Sequence, residues 1–125
     1  MIPVRQNFPA PPPVDIPAAL QAEFKAQGVL EHLKPGARVA VAVGSRGITN
    51  LKEIVAEVLA SLKSAGAQPF IIPAMGSHGG ATPEGQAELL QEYGVTEERM
   101  KVPLKASMEV ERLGATAEGI DVFCS

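Results

Sequence analysis

The sequence predicts an α/β fold: a three-layer, Rossmann-like parallel-sheet domain with a proline-rich N-terminal arm. Three observations point there. Aromatic residues make up 4% and Trp is absent, so a core must be built from Val, Ile, Leu and Ala, which suits a buried parallel sheet covered by helices. Two short apolar runs, Arg38-Val39-Ala40-Val41-Ala42-Val43-Gly44 and Gln68-Pro69-Phe70-Ile71-Ile72-Pro73, read as strands. Between them Leu51, Ile54, Val55, Val58, Leu59 and Leu62 recur at helical steps and form one apolar face. Strand, helix, strand over residues 38–73 is the pattern of a right-handed parallel crossover.

Residues 8–17 hold five prolines and cannot form a helix interior. We therefore divide the chain into an arm, 1–17, and an α/β domain, 18–125. Asp15 is placed to cap a first helix that runs to about Gly28, with Pro17 tolerated in its first turn. Pro35-Gly36 signals a turn before the first strand. Asn50 is placed to cap the second helix and Gly66 to stop it. After the second strand comes the loop Ala74-Met75-Gly76-Ser77-His78-Gly79-Gly80-Ala81-Thr82. A third helix is expected from Thr82 to Tyr93, with Thr82 as cap, Pro83 in its first position and Gly94 at its end. Thr96 can start a further short turn, and residues 101–125 read as short strands with turns at Gly114 and Gly119. The sequence stops inside or just after a predicted strand, so the expectation is the N-terminal part of a longer protein.

A formal net charge of -3 argues against a nucleic-acid footprint, which shows clustered Lys and Arg. No apolar run approaches the roughly 20 residues that span a bilayer. With no signal-peptide h-region at the start, the expectation is a cytoplasmic protein. A single cysteine, Cys124, excludes an internal disulfide and reads as a buried thiol. Histidines 32 and 78 are 46 positions apart, with no short-spaced ligand pair, so no metal site is expected within the chain. His32 reads as a surface residue, and Glu97, Glu98 and Glu109 as solvated carboxylates.

Ligands of open α/β sheets bind outside the carboxyl ends of the strands. Two loops are expected at that edge, facing one site: Gly44-Ser45-Arg46-Gly47-Ile48-Thr49-Asn50 and the loop at 74–82. Arg46 offers a planar cationic fork for a carboxylate or phosphate, with a structural salt bridge as the alternative. His78 offers an imidazole, whose unperturbed pKa of about 6.5 suits proton transfer at neutral pH. Gly79 and Gly80 permit close ligand approach, and the following helix start offers N–H groups to an anion. Ser45, Ser77 and Thr82 can contact a phosphate or serve as turn and cap residues. The glycine loop lacks the Lys-Ser/Thr end of a P-loop, and no dinucleotide-binding glycine pattern follows the first strand.

At these loops the sequence resembles the N-terminal domain of the nickel-pincer-nucleotide-dependent lactate racemase family. The likeness spans residues 39–124 and is strongest over Pro73-Ala74-Met75-Gly76-Ser77-His78-Gly79-Gly80-Ala81-Thr82-Pro83-Glu84-Gly85-Gln86. Gly44-Ser45-Arg46-Gly47 and Ser107-Met108-Glu109 support it. The resemblance implies an isomerase that interconverts stereoisomers of 2-hydroxy acids. It implies a histidine at position 78 that deprotonates the substrate hydroxyl while hydride moves to the pincer cofactor, and an arginine at position 46 that contacts substrate or cofactor.

Three departures stand out. The characterised racemases follow this histidine with arginine, where this chain has Gly79 and Gly80. They place an acidic residue three positions before the arginine, where this chain has Val43. Both differences count against lactate as substrate. The second acid/base histidine and the cofactor-anchoring lysine are implied to lie beyond Ser125, so this chain alone is not expected to racemise anything or to bind the nickel-pincer nucleotide tightly. Two other classes of function remain open. One is a non-catalytic module for a small anion or nucleotide phosphate. The other is an assembly domain that forms homo-oligomers through its arm or an exposed edge.

Overall fold

A computed structural model of the chain describes residues 4, 5, 7, 8, 12–44 and 47–124. The first strand, β1 (Arg38–Val43), alternates so that Val39, Val41 and Val43 turn inward while Arg38, Ala40 and Ala42 stay exposed. The second, β2 (Gln68–Pro73), buries Pro69 and Ile71 on the same side. The two pair in parallel, with Val41 opposite Ile71 and Val43 opposite Pro73. The expected strand, helix, strand crossover is therefore present.

Helix α1 (Ile16–Gln27) starts where Asp15 Oδ1 accepts the Ala18 N–H at 3.0 Å and ends at a left-handed Gly28. A short 3₁₀ turn (Leu30–His32) follows, with His32 exposed as expected. Helix α2 (Leu51–Ser64) joins the two strands and ends at a left-handed Gly66. Its N-cap position is Asn50, but Asn50 is itself left-handed (φ +60°) and its side chain does not cap. The expected Asn50 cap is thereby corrected. An N-cap normally needs an extended backbone to aim its side chain at the first-turn amides.

A 3₁₀ turn (His78–Ala81) leads into helix α3 (Pro83–Glu92). One more turn of helix, α4 (Glu97–Met100), is capped by Thr96, whose Oγ1 accepts the Arg99 N–H. Lys63 Nζ ties α2 to this last turn by donating to the carbonyls of Met100 and Lys101 at 3.1 and 3.0 Å. The chain then touches the free edge of β2. Ile71 N–H donates to Pro103 O and Lys105 N–H to Ile71 O, both at 2.8 Å, so Leu104 begins a third parallel row. Glu97 is not merely solvated, because its carboxylate accepts the Leu104 N–H.

Beyond it, β3 (Glu111–Ala115) and β4 (Asp121–Cys124) form an antiparallel hairpin with a register shift between Arg112 and Gly114. Its residues are mostly exposed, Leu113, Ile120 and Phe123 among them. Cys124 is exposed too, which corrects the expected buried thiol.

One core holds the helical side together. Leu51, Val55 and Leu59 of α2 and Leu90 of α3 pack with Val43, Ile71, Met75, Val95, Met100 and Val102. The structure is thus mixed α/β with a small parallel sheet and helices, while each named sheet has two strands. Both sheet-packing helices lie on one face and α1 packs on α2, so the exposed Ala40 and Ala42 carry no third layer among the described residues. Short side chains at these outward positions leave the burial pattern one-sided. No helix among the described residues is long and apolar enough to cross a membrane.

Candidate functional site at the carboxyl ends of the parallel strands

The parallel ladder continues one step past β2, since Ala74 N–H donates to Val43 O at 2.8 Å. Gly44 and Ala74 therefore leave the sheet side by side, and the two predicted loops start from one edge. Ser45 and Arg46 lie outside the described residues, so the expected pairing of Arg46 with His78 is not located.

The second loop is a chain of tight turns. His78 N–H donates to Met75 O at 3.2 Å, and Gly76 has φ +59°. Gly79, Gly80 and Ala81 follow with φ of +65°, +67° and +54°, three left-handed residues in a row. Glycine meets that demand without steric cost. Gly79 meets a second demand as well. A Cβ on it would collide with the backbone of Gly85 and the Gln86 nitrogen, and a Cβ on Gly85 would collide with the Gly79 carbonyl. The loop and the first turn of α3 touch backbone to backbone through this glycine pair.

Thr82 closes the junction. Its hydroxyl donates to Gly79 O and accepts the Gly85 N–H, each at 3.1 Å. Pro83 has no N–H, and the Gln86 N–H bonds to Thr82 O at 3.0 Å. Thr82 thus acts as the expected cap, and the start of α3 satisfies much of its own donor set. The start of α2 on the same edge is similar. Glu53 holds its carboxyl below the usual range, first by a hydrogen bond from its own backbone N–H and then through Lys52, whose Nζ is 3.3 Å away.

His78 is half-buried, Ser77 and Gly80 are exposed, and Gly79 is half-buried against α3. A groove of about 390 Å³ opens next to them, lined by Ala74, Met75, Gly76, Gln86, Ser107 and Met108 and flanked by Val110 and Phe123. None of the described predicted site residues lines it; the loop contributes Gly76. The hairpin brings Phe123 to this groove, which local sequence pattern does not foretell.

Gln86 is the residue that sequence reasoning passed over. It is 6% exposed, and its Nε2–H donates to Gly76 O at 2.8 Å. A signal was present: Gln86 precedes Leu89 and Leu90 by three and four positions and so sits on the helix's apolar stripe. A polar side chain there needs a partner, because leaving a buried amide unsatisfied costs about 1–3 kcal/mol.

The described residues contain no group of three His, Cys, Asp or Glu side chains placed for a metal ion. Searches of the curated proteins and of the solved structures gave no match. The family model of the lactate racemase N-terminal domain matches residues 7–125, across the sheet, the glycine loop and the hairpin. On that match, the chain belongs to the lactate racemase N-terminal domain family.

Proposed function

We propose that this chain supplies one part of the active site of a 2-hydroxy-acid racemase or epimerase, with His78 as its acid/base. The observation that carries the reading is the family match over residues 7–125, which contains the whole glycine loop. In this reading His78 takes the proton of the substrate hydroxyl and returns it, the task that a near-neutral base performs best. Arg46 pairs with the substrate carboxylate as a two-donor fork. Ser45, Ser77, Gly79 and Gly80 contact the substrate or the cofactor in this reading, and Thr82 holds the turn that carries His78.

The nickel-pincer nucleotide implied by the family does not fit a metal-holding cluster of the described residues. In this reading its anchoring lysine and the second acid/base histidine lie elsewhere in the full-length protein. A covering layer over Ala40 and Ala42 belongs to the same reading, because parallel sheets are normally buried on both faces. So do a cytoplasmic location and a small 2-hydroxy acid or related anion as partner.

The test uses the full-length protein, expressed with its cofactor and offered single enantiomers of several 2-hydroxy acids. Chiral chromatography is expected to show the opposite enantiomer growing in for at least one acid. Stereochemical inertness toward every acid in the panel, from protein shown to carry nickel, overturns the reading.

A further inference from the structure

We propose that Gln86 is a positioning residue for His78, holding the upstream side of its turn; the inference rests on the acid/base reading of His78 above. The turn is tied to α3 at two points that bracket the histidine. Downstream, Gly79 is pinned by the Thr82 hydroxyl and by backbone contact with Gly85. Upstream, Gly76 has no such packing. A Cβ built on it meets nothing within 4 Å, and its φ of +59° is a conformation a glycine leaves easily. Within the turn, His78 N–H closes on Met75 O at 3.2 Å; the bond that ties the Gly76 peptide to α3 is the 2.8 Å hydrogen bond from Gln86 Nε2–H to its carbonyl, made across ten residues of sequence.

The donor is itself fixed. Gln86 is 6% exposed, at the end of the first turn of α3, one turn before the buried Leu90 of the core. Its backbone is set by the same Thr82 cap that pins Gly79, since Gln86 N–H bonds to Thr82 O. One short helix therefore grips the loop on both sides of His78: through the glycine pair by shape, and through Gln86 by a directional bond. Directed bonds from rigid elements keep a reacting group within the narrow range that proton transfer needs.

The experiment compares Gln86→Glu, Gln86→Leu and His78→Ala in the full-length protein. Glutamate keeps the size of glutamine but, when ionised, turns the donor facing Gly76 O into an acceptor. Gln86→Glu is expected to lower kcat by about 10- to 100-fold, the range expected for a misplaced reacting group, with KM changed less than twofold. Amide hydrogen exchange at His78, whose N–H closes the turn on Met75 O, is expected to rise at least about tenfold, while exchange at Leu90 and Ile71 stays as in the parent. A bond contributing only to global stability would instead raise exchange throughout the core. Gln86→Leu, which removes the donor without adding charge, is expected to reproduce the loop exchange. Unchanged exchange at His78 in both variants overturns the inference. An active His78→Ala protein overturns the acid/base reading instead, and the exchange result then still decides whether Gln86 holds the loop.

Discussion

Replacing Gly79 by Ala will cost much more stability than replacing Gly80 by Ala, although the two glycines have almost the same backbone. Their φ values are +65° and +67°, so the conformational penalty for an L side chain is shared, roughly 1–2 kcal/mol in each case. Their surroundings differ. A Cβ on Gly80 meets nothing within 4 Å, while one on Gly79 overlaps Gly85 and the Gln86 nitrogen. Those atoms are backbone in the first turn of α3, so no rotamer change relieves the clash. Overpacking of this kind costs about 1–3 kcal/mol. We therefore expect about 2–5 kcal/mol for Gly79→Ala, and about 1–3 kcal/mol more than for Gly80→Ala. Urea unfolding of the two variants, compared at equal m, measures the difference. Equal midpoints would refute the backbone contact between the loop and α3. The reciprocal variant, Gly85→Ala, sharpens the test. Glycine to alanine inside a helix normally gains about 0.5–1 kcal/mol, yet here the new Cβ faces the Gly79 carbonyl, and the sign reverses.

Two further outcomes follow from the hydrogen bonds. Thr82→Ala removes the oxygen that caps α3 and holds Gly79, and will cost about 1 kcal/mol, whereas Thr82→Ser will retain most of it; thermal unfolding of the pair reads the difference. Glu118, in the hairpin turn, has its carboxyl held below the usual carboxylate range, first by the Thr116 side chain and then by its own backbone N–H. A carboxyl lowered in the fold stabilises above its unfolded pKa, and that contribution fades as pH falls through the folded value. NMR titration of Glu118 should find a midpoint below that of an unperturbed glutamate, and Thr116→Val should raise it; a midpoint that ignores the substitution refutes the assignment.

The parts of the fold that could be read in advance are those whose causes are local. Asp15 and Thr82 cap because an oxygen three residues ahead of an amide suffices, and Gly28 and Gly94 end helices because the left-handed turn is theirs. The parallel crossover followed from apolar runs and helical spacing in one short stretch. Asn50 failed as a cap because it sits in the left-handed region (φ +60°), which asparagine tolerates, and from there its side chain is not aimed at the first-turn amides. The third parallel row at Leu104 is a single bridge to Ile71 and depends on β2 lying beside it, so no periodicity announces it.

The candidate site divides in the same way. His78 stood out because glycines surround it and a capped helix follows. Gln86 did not: its place on the apolar stripe of α3 signals burial, but its partner, Gly76 O, lies ten residues away and is fixed only by the fold. The groove beside the loop needs Phe123 from a hairpin that lies far along the chain.

His78 is the point on which the functional account turns, and one comparison tests it directly: the interconversion rate of a 2-hydroxy acid by full-length parent protein and by His78→Ala, each with its nickel content measured. Loss of a positioned acid/base costs about 10²- to 10⁴-fold, so turnover should fall by at least about 100-fold at unchanged nickel content. Parent-like turnover in the variant would contradict the account.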